Sequence, residues 1–165
     1  MSLPKYRLQP VLDSKEKKKK DAEQALAEAR KELAKQQQLL QERENDVLKA
    51  VETKQEFTAQ FMEKMDQGMD LPKITQGKAY IEVLKQKIVT AKKKVEDQKK
   101  VVALSEKKVE TAIGKLTETT KEMKVIEKHK ENWIDTEKRE LEAKEEKEQE
   151  EVAQNIYQQS RRRHS

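Results

Sequence analysis

Side chains on a seven-residue repeat form two ladders in this chain, one on each side of a single strong turn signal. The first ladder, apolar except for Lys54, comprises Leu26, Leu33, Leu40, Val47, Lys54 and Phe61. The second comprises Ile81, Ile88, Val95, Val102, Val109, Leu116 and Met123. A period of seven places one side chain per two helical turns on the same seam, which is typical of a coiled coil. The turn signal lies at residues 67–72, which include Gly68 and Pro72.

Folding the chain at this turn pairs the two ladders in antiparallel order. Phe61 then faces Ile81 and Leu40 faces Val102, with a centre of symmetry at residue 71. Such a constant relation over many pairs is what an intramolecular hairpin requires. We therefore predict an all-α fold, a long antiparallel two-helix coiled-coil hairpin whose second helix is longer than the first.

The predicted hairpin is a single domain over residues 1–165. Residues 1–10 form an extended lead-in, the first helix covers about 12–66, the turn about 67–72, and the second helix about 73–160. In this pairing Leu12 faces Lys130, so the rest of the second helix is an overhang without a partner in the chain. The overhang contains an acidic stretch at 134–151 and a basic end at 161–163.

Composition restricts the class of protein. Hydrophobic residues make up 33% of the chain and charged residues 42%, which is too lean for a globular core but normal for a long two-stranded helix. The net charge of +5 arises from 37 bases and 32 acids, which describes a mixed, solvated surface rather than a polycation. No signal segment or membrane span is visible, so we expect a cytoplasmic protein.

The sequence offers no catalytic or metal-binding pattern. His129 and His164 are the two histidines and cysteine is absent, so no zinc-ligand spacing exists. Three glycines in the whole chain cannot form a glycine-rich phosphate loop. We predict a protein that is not an enzyme and that binds neither a metal nor a cofactor.

Several features allow two interpretations. The run at 15–20 could bind an anionic partner, or could be a solvated face beside glutamates of the second helix. The arginines at 161–163 could contact nucleic acid, but they lack interleaved aromatics, so an acidic protein or the helix dipole is the better match. Trp133 could close the seam or anchor a partner. The aromatic and methionine side chains near the turn are partly core and partly an interaction surface.

Four segments in order carry a resemblance to a known family. They are residues 6–12 (YRLQPVL), 78–81 (KAYI), 129–133 (HKENW) and 144–151 (KEEKEQEE). In this order they resemble the YscO/FliJ family, the central-stalk proteins of type III secretion and flagellar export, and the chlamydial-type members are the most similar. The resemblance covers nearly the whole chain.

The resemblance implies a non-enzymatic stalk or adaptor that engages the hexameric export ATPase and the export-gate protein of the inner membrane, and that escorts secretion chaperones. It implies a protein that is cytoplasmic, peripheral to the inner-membrane secretion apparatus, and not inserted in the membrane. The constant pairing of the two ladders favours a monomer over a parallel dimer. A stripe of aromatics near the turn binds the gate in flagellar members, and the matching positions here are Phe57, Phe61, Tyr80 and Leu84. For the ATPase we predict contacts from the open end of the hairpin, through Trp133, Arg161, Arg162 and Arg163.

Two other functions are compatible with the pattern. A generic structural coiled coil would self-associate as a dimer or filament, which sedimentation would detect. A binder of nucleic acid or anionic surfaces would use the basic run and the arginine end, and its affinity would fall steeply with salt.

Overall fold

Two α-helices account for nearly all of the computed structural model, which describes residues 2–164. Helix α1 covers Gln9–Asp66 and helix α2 covers Leu71–Arg163. At 93 residues α2 is longer than α1, which has 58, and residues 2–164 contain no strand. The predicted all-α class with a longer second helix is confirmed.

Helix α1 begins earlier than expected and ends where expected. It starts at Gln9, with Pro10 in its first turn, where a missing N–H costs no hydrogen bond. The first backbone bond of the segment runs from the Gln9 N–H to the Tyr6 carbonyl at 3.2 Å. The expected start near residue 12 was wrong because Pro10 initiates the helix instead of delaying it.

The connection between the helices is shorter than the predicted turn at 67–72 and spans residues 67–70. Gly68 has a φ of 102°, a left-handed conformation that glycine adopts without steric cost, and its N–H donates to the Met65 carbonyl at 3.1 Å. The Asp70 carbonyl accepts the first bond of α2, from Ile74 at 3.1 Å. Helix α2 therefore starts at Leu71 and accommodates Pro72 in its first turn.

The structure divides into two compact units. One is Gln24–Gly114, and the other joins the chain up to Glu23 with the chain from Lys115 onward. Within Gln24–Gly114 every ladder position is buried or half-buried, as the period of seven predicts. The most enclosed apolar side chains of this unit are Leu26, Phe61, Leu84, Val95 and Val102.

The register of this unit differs from the predicted one by about one helical turn. Phe61 lies against Gly77, four residues before its expected partner Ile81, and Phe57 contacts the ring of Tyr80. The reason is the connection, which is centred between residues 68 and 69 instead of at 71. Since each helix presents a seam position twice per heptad, a shift of one turn still places seam positions opposite one another.

A polar layer interrupts the seam of Gln24–Gly114. Gln98 is only 8% exposed, and its Nε2 donates to the carbonyl oxygen of Gln36 at 3.0 Å and to the Oε1 of Gln36 at 2.7 Å. A single polar layer of this kind lowers the stability of a coiled coil but favours the one register in which its hydrogen bonds form.

In the second unit one side chain that precedes α1, that of Tyr6, belongs to the interior. Tyr6, Leu12, Ala22 and Met123 are all buried. Lys130, expected to face Leu12, instead donates to Gln9 Oε1 at 2.7 Å. Residues 2–6 have no regular secondary structure, and the Tyr6 side chain from this lead-in packs on α2, a contact that the prediction did not include.

No helix among residues 2–164 combines the length and the apolar character needed to cross a membrane.

Candidate protein-binding surfaces

Residues 2–164 contain no group of three or more His, Asp or Glu side chains arranged to hold a metal ion. The candidate sites are surfaces, and the first lies beside the connection between α1 and α2. We name it the turn cluster: Phe57, Phe61, Tyr80 and Leu84.

The aromatic rings of the turn cluster are in mutual contact. Phe57 and Phe61 are four residues apart on α1, which places them on one face, and their rings stack at 5.9 Å with an interplanar angle of 10°. Tyr80 meets Phe57 edge to face, with 4.6 Å between ring centroids and an angle of 76°. Both arrangements are favoured by the charge distribution of aromatic rings.

Gly77 allows this packing. A Cβ atom added at Gly77 would lie 2.6 Å from the Cδ2 atom of Phe61 and closer still to two other carbons of the ring. The absence of a side chain on α2 therefore lets the Phe61 ring lie directly against the backbone of that helix. The sequence alone gives no signal of this role.

The four members of the turn cluster differ in accessibility. Phe61 is 7% exposed and Leu84 is 3% exposed, so both belong to the interior of the unit. Phe57 is half-buried, and Tyr80 is 41% exposed. A partner protein could reach Tyr80 and one side of Phe57, while the two buried members hold these rings in position.

A shallow groove crosses the turn cluster and gives it a basic border. Phe57 and Tyr80 form part of its floor, and Lys64 and Lys73 line its edges. Met69, from the connection between the helices, also lines the groove and adds a flexible apolar side chain. An aromatic floor with cationic edges suits a partner surface that is apolar with carboxylates around it.

The second candidate surface belongs to the unit that contains both chain ends. Tyr6 is 8% exposed and packs on Trp133 with 5.1 Å between ring centroids. The Tyr6 hydroxyl hydrogen-bonds to the Nδ1 of His129 at 2.6 Å, and the Lys130 ammonium lies 5.8 Å from the centre of the Tyr6 ring. Trp133 is half-buried in this group, so only part of its indole is accessible.

Some residues beyond this group, α2 becomes fully exposed. Half-buried positions continue to Leu141, and every residue from 142 to 163, which we name the C-terminal arm, is exposed. The arm carries a run of glutamates, then three exposed large apolar side chains, then the arginines at its end. The apolar members are Val152, Ile156 and Tyr157, which are 57%, 63% and 67% exposed.

The structure separates the residues predicted to contact the ATPase. Trp133 and Arg161 are about 40 Å apart along the axis of α2, at a rise of about 1.5 Å per residue. The arginines lie in the last turn of α2, where positive charge complements the helix dipole. The apolar group of the arm was not among the predicted site residues, although its spacing of four to five residues is visible in the sequence.

The basic run at 15–20 is partly paired within the chain. Lys15 Nζ lies 2.9 Å from Glu122 Oε2, and Lys19 lies 3.9 Å from Glu23. The hydrogen bond and charge of Lys15, with a smaller contribution from Lys18, lower the pKa of Glu122 below its ordinary value. The interpretation of this run as a solvated face beside glutamates of α2 is confirmed for Lys15.

Sequence reasoning missed the group around Tyr6. Tyr6 lies in a short polar segment between two prolines, Pro4 and Pro10. The available signal was the aromatic residue itself, because a bulky ring in a charged terminal segment is stable only if it covers another apolar surface.

Comparison with known proteins agrees with the resemblance inferred from the sequence. The family model described as YscO-like protein matches residues 3–163. The solved structure of a YscO homologue from Chlamydia trachomatis is similar to this chain, with 32% identity and a TM-score of 0.80. That similarity covers 97% of this chain and 99% of the chlamydial chain. No curated protein matches.

Proposed function

This chain belongs to the YscO-like family, which implies a role in type III secretion, and we propose that it is a non-enzymatic stalk that binds two components of that apparatus. The first is the export-gate protein of the inner membrane and the second is the hexameric export ATPase. In this role the protein is a cytoplasmic monomer, peripheral to the membrane, and it delivers secretion chaperones to the gate.

The observation that supports this proposal is the presence of two exposed surfaces of different chemistry, one in each compact unit. In Gln24–Gly114, Tyr80 and the accessible side of Phe57 form an aromatic surface with lysines at its border. In the other unit, the C-terminal arm presents glutamates, an apolar group and a basic end. A generic structural coiled coil needs neither surface.

We assign the gate to the turn cluster. Tyr80 and Phe57 make the contact, and the buried Phe61 and Leu84 hold them in place. Aromatic side chains that contact a partner commonly dominate the binding energy, because they bury a large area with little loss of conformational freedom.

We assign the ATPase to the C-terminal arm, including Arg161, Arg162 and Arg163, together with the accessible part of the Trp133 indole. An exposed helix with alternating blocks of charge binds weakly and reversibly, which a component of a working machine requires. The apolar group at Val152 and Ile156 adds a contact that salt does not screen.

Two exposed tyrosines on α2 provide matched variants that test both assignments. Tyr80→Ala should lower the affinity for the purified cytoplasmic domain of the gate by about tenfold or more and leave stimulation of the ATPase unchanged. Tyr157→Ala should leave gate binding unchanged and reduce stimulation of the ATPase. If Tyr80→Ala retains full gate binding at unchanged helix content, the assignment of the turn cluster is wrong.

Truncation before residue 142 tests the arm as a whole. Half-burial ends at Leu141, so this cut removes only exposed helix and should leave the thermal unfolding of the remainder intact. The truncated protein should no longer stimulate ATP hydrolysis. Charge reversal of the three arginines should weaken ATPase binding more at low salt than at high salt, and full stimulation by the truncated protein would refute the assignment.

A further inference from the structure

A second groove in the unit Gln24–Gly114 lies apart from the turn cluster and the C-terminal arm. Its volume is about 530 Å³, within the usual range for ligand sites. Val51, Ala59 and Ile88 provide apolar lining, and Lys54 and Lys92 provide the only charges that line it. The apolar members come from both helices, so the groove follows the line along which α1 and α2 meet.

Lys54 occupies an unusual position in this groove. It continues the ladder between Val47 and Phe61, where the repeat otherwise places apolar side chains. It is half-buried and lines the groove, so its methylene groups contribute apolar surface while its ammonium group carries charge at the opening. A leucine would make a more stable seam at this position, so the lysine exchanges some stability for a charge beside the groove.

Only a minority of the lysines in residues 2–164 form an ion pair with a carboxylate of the chain. Lys85 pairs with Glu82 at 3.1 Å and Lys99 pairs with Glu96 at 3.3 Å. Across residues 2–164, neither Lys54 nor Lys92 has a carboxylate within ion-pair distance. The groove therefore combines an apolar floor with two positive charges that the chain does not neutralise.

We propose that this groove binds an amphipathic helix of a partner protein whose apolar edge is flanked by glutamate or aspartate. The apolar edge covers Val51, Ala59 and Ile88, and the carboxylates pair with Lys54 and Lys92. A groove between two packed helices accepts a third helix through side chains spaced three and four residues apart. The site holds independently of the proposed function, since it uses neither Tyr80 nor the arm.

Other kinds of ligand match the groove less well. An extended peptide binds through main-chain hydrogen bonds to a sheet edge, and residues 2–164 contain no strand. A nucleic acid strand requires aromatic side chains for base stacking, and no aromatic residue lines this groove. Neither an extended peptide nor a nucleic acid strand would therefore make use of the apolar side chains that line the groove.

The test uses a designed helical probe with the full-length protein. The probe is a stapled peptide of about five turns with an apolar edge flanked by glutamates, and its twin carries glutamine at those positions. The glutamate probe should bind more tightly than the twin, with a difference that narrows at high salt. Fluorescence anisotropy at two salt concentrations measures both affinities.

Matched charge variants identify the site. The double variant Lys54→Gln, Lys92→Gln should weaken binding of the glutamate probe about fivefold at low salt and leave the twin unaffected, as expected for two exposed ion pairs. The control Lys49→Gln, Lys100→Gln removes the same charge from exposed positions on the same helices outside the groove. It should have no effect on the probe.

Three results would overturn the proposal. One is an equal loss of affinity in the control variant, which would show non-specific attraction to a basic surface. Another is stronger competition by single-stranded DNA than by the probe, which would assign the groove to nucleic acid. The third is self-association of the protein that the Lys54→Gln, Lys92→Gln variant abolishes, because the natural occupant would then be a second copy of this chain.

Discussion

Replacing Gly77 with alanine tests whether the Phe61 ring is fixed against α2. Helix propensity alone predicts that Gly→Ala in a helix raises the free energy of unfolding by about 1 kcal/mol. At Gly77, however, the new Cβ would overlap the buried ring of Phe61. Overpacking of this kind costs about 1–3 kcal/mol, and the ring cannot turn away without exposing apolar surface. We expect Gly77→Ala to lower the free energy of unfolding by about 1 kcal/mol.

Gly114→Ala is the matched control in the same unit. Nothing lies within 4 Å of a Cβ at Gly114, so only the propensity contributes and the free energy of unfolding should rise by about 1 kcal/mol. Urea denaturation followed by far-ultraviolet circular dichroism measures both variants. The opposite signs of the two changes are the diagnostic result, because they do not depend on the absolute stability.

A double-mutant cycle assigns the effect to the ring. Phe61→Leu removes the ring carbons that a Cβ at Gly77 would meet, so Gly77→Ala should become neutral or stabilising in that background. The expected coupling is about 1–3 kcal/mol, typical of residues in contact. If Gly77→Ala instead stabilises the wild-type chain as much as Gly114→Ala does, the Phe61 ring moves freely and the described packing is wrong.

Three further predictions concern the two units separately. Gln98→Leu should raise the free energy of unfolding by about 1 kcal/mol, because an apolar side chain replaces the polar layer in the seam. Without the polar layer the register is less strictly selected, so the distribution of spin-label distances between the helices should broaden. A loss of stability would contradict this prediction. The pKa of Glu122 is lowered by its lysine partner. The stabilisation that this ion pair provides is therefore present above the ordinary glutamate pKa and is lost as the pH falls through the lowered pKa. Glu122→Gln should remove that part of the pH dependence of thermal unfolding. Tyr6→Phe should lower the free energy of unfolding by about 1 kcal/mol, because the hydrogen bond to His129 is lost. Tyr6→Ala should also shift the fluorescence emission of Trp133, the single tryptophan, to the red, and unchanged emission would refute the contact between the two rings.

For the turn cluster, the sequence predicted which residues lie together but not their accessibility. The excess of aromatics near the turn was visible in the spacing of Phe57, Phe61 and Tyr80. Burial then divides them, since Phe61 is 7% exposed and Tyr80 is 41% exposed. A rotation of a few tens of degrees about a helix axis decides whether a flanking residue faces the seam or the solvent, and residue spacing alone does not determine that rotation.

What the sequence determined by itself is the part of the fold that depends on local physics. Helix propensity over long charged stretches, the glycine and proline near residue 70, and the period of seven defined two helices, one break and the seam positions of both. These features depend on each residue and its neighbours within two helical turns. The amino-acid sequence alone is therefore sufficient to predict them.

The tertiary structure alone decided the register and the packing of the N-terminal segment. A repeating seam has nearly equal apolar contacts after a shift of one turn, so few non-repeating contacts select the pairing. Here they are the short connection at Gly68, the Phe61 ring over Gly77, and the hydrogen bonds of Gln98. Tyr6 contacts His129 and Trp133 more than a hundred positions away along the chain. Contacts over such separations carry no periodic signal, and only the folded chain brings their partners together.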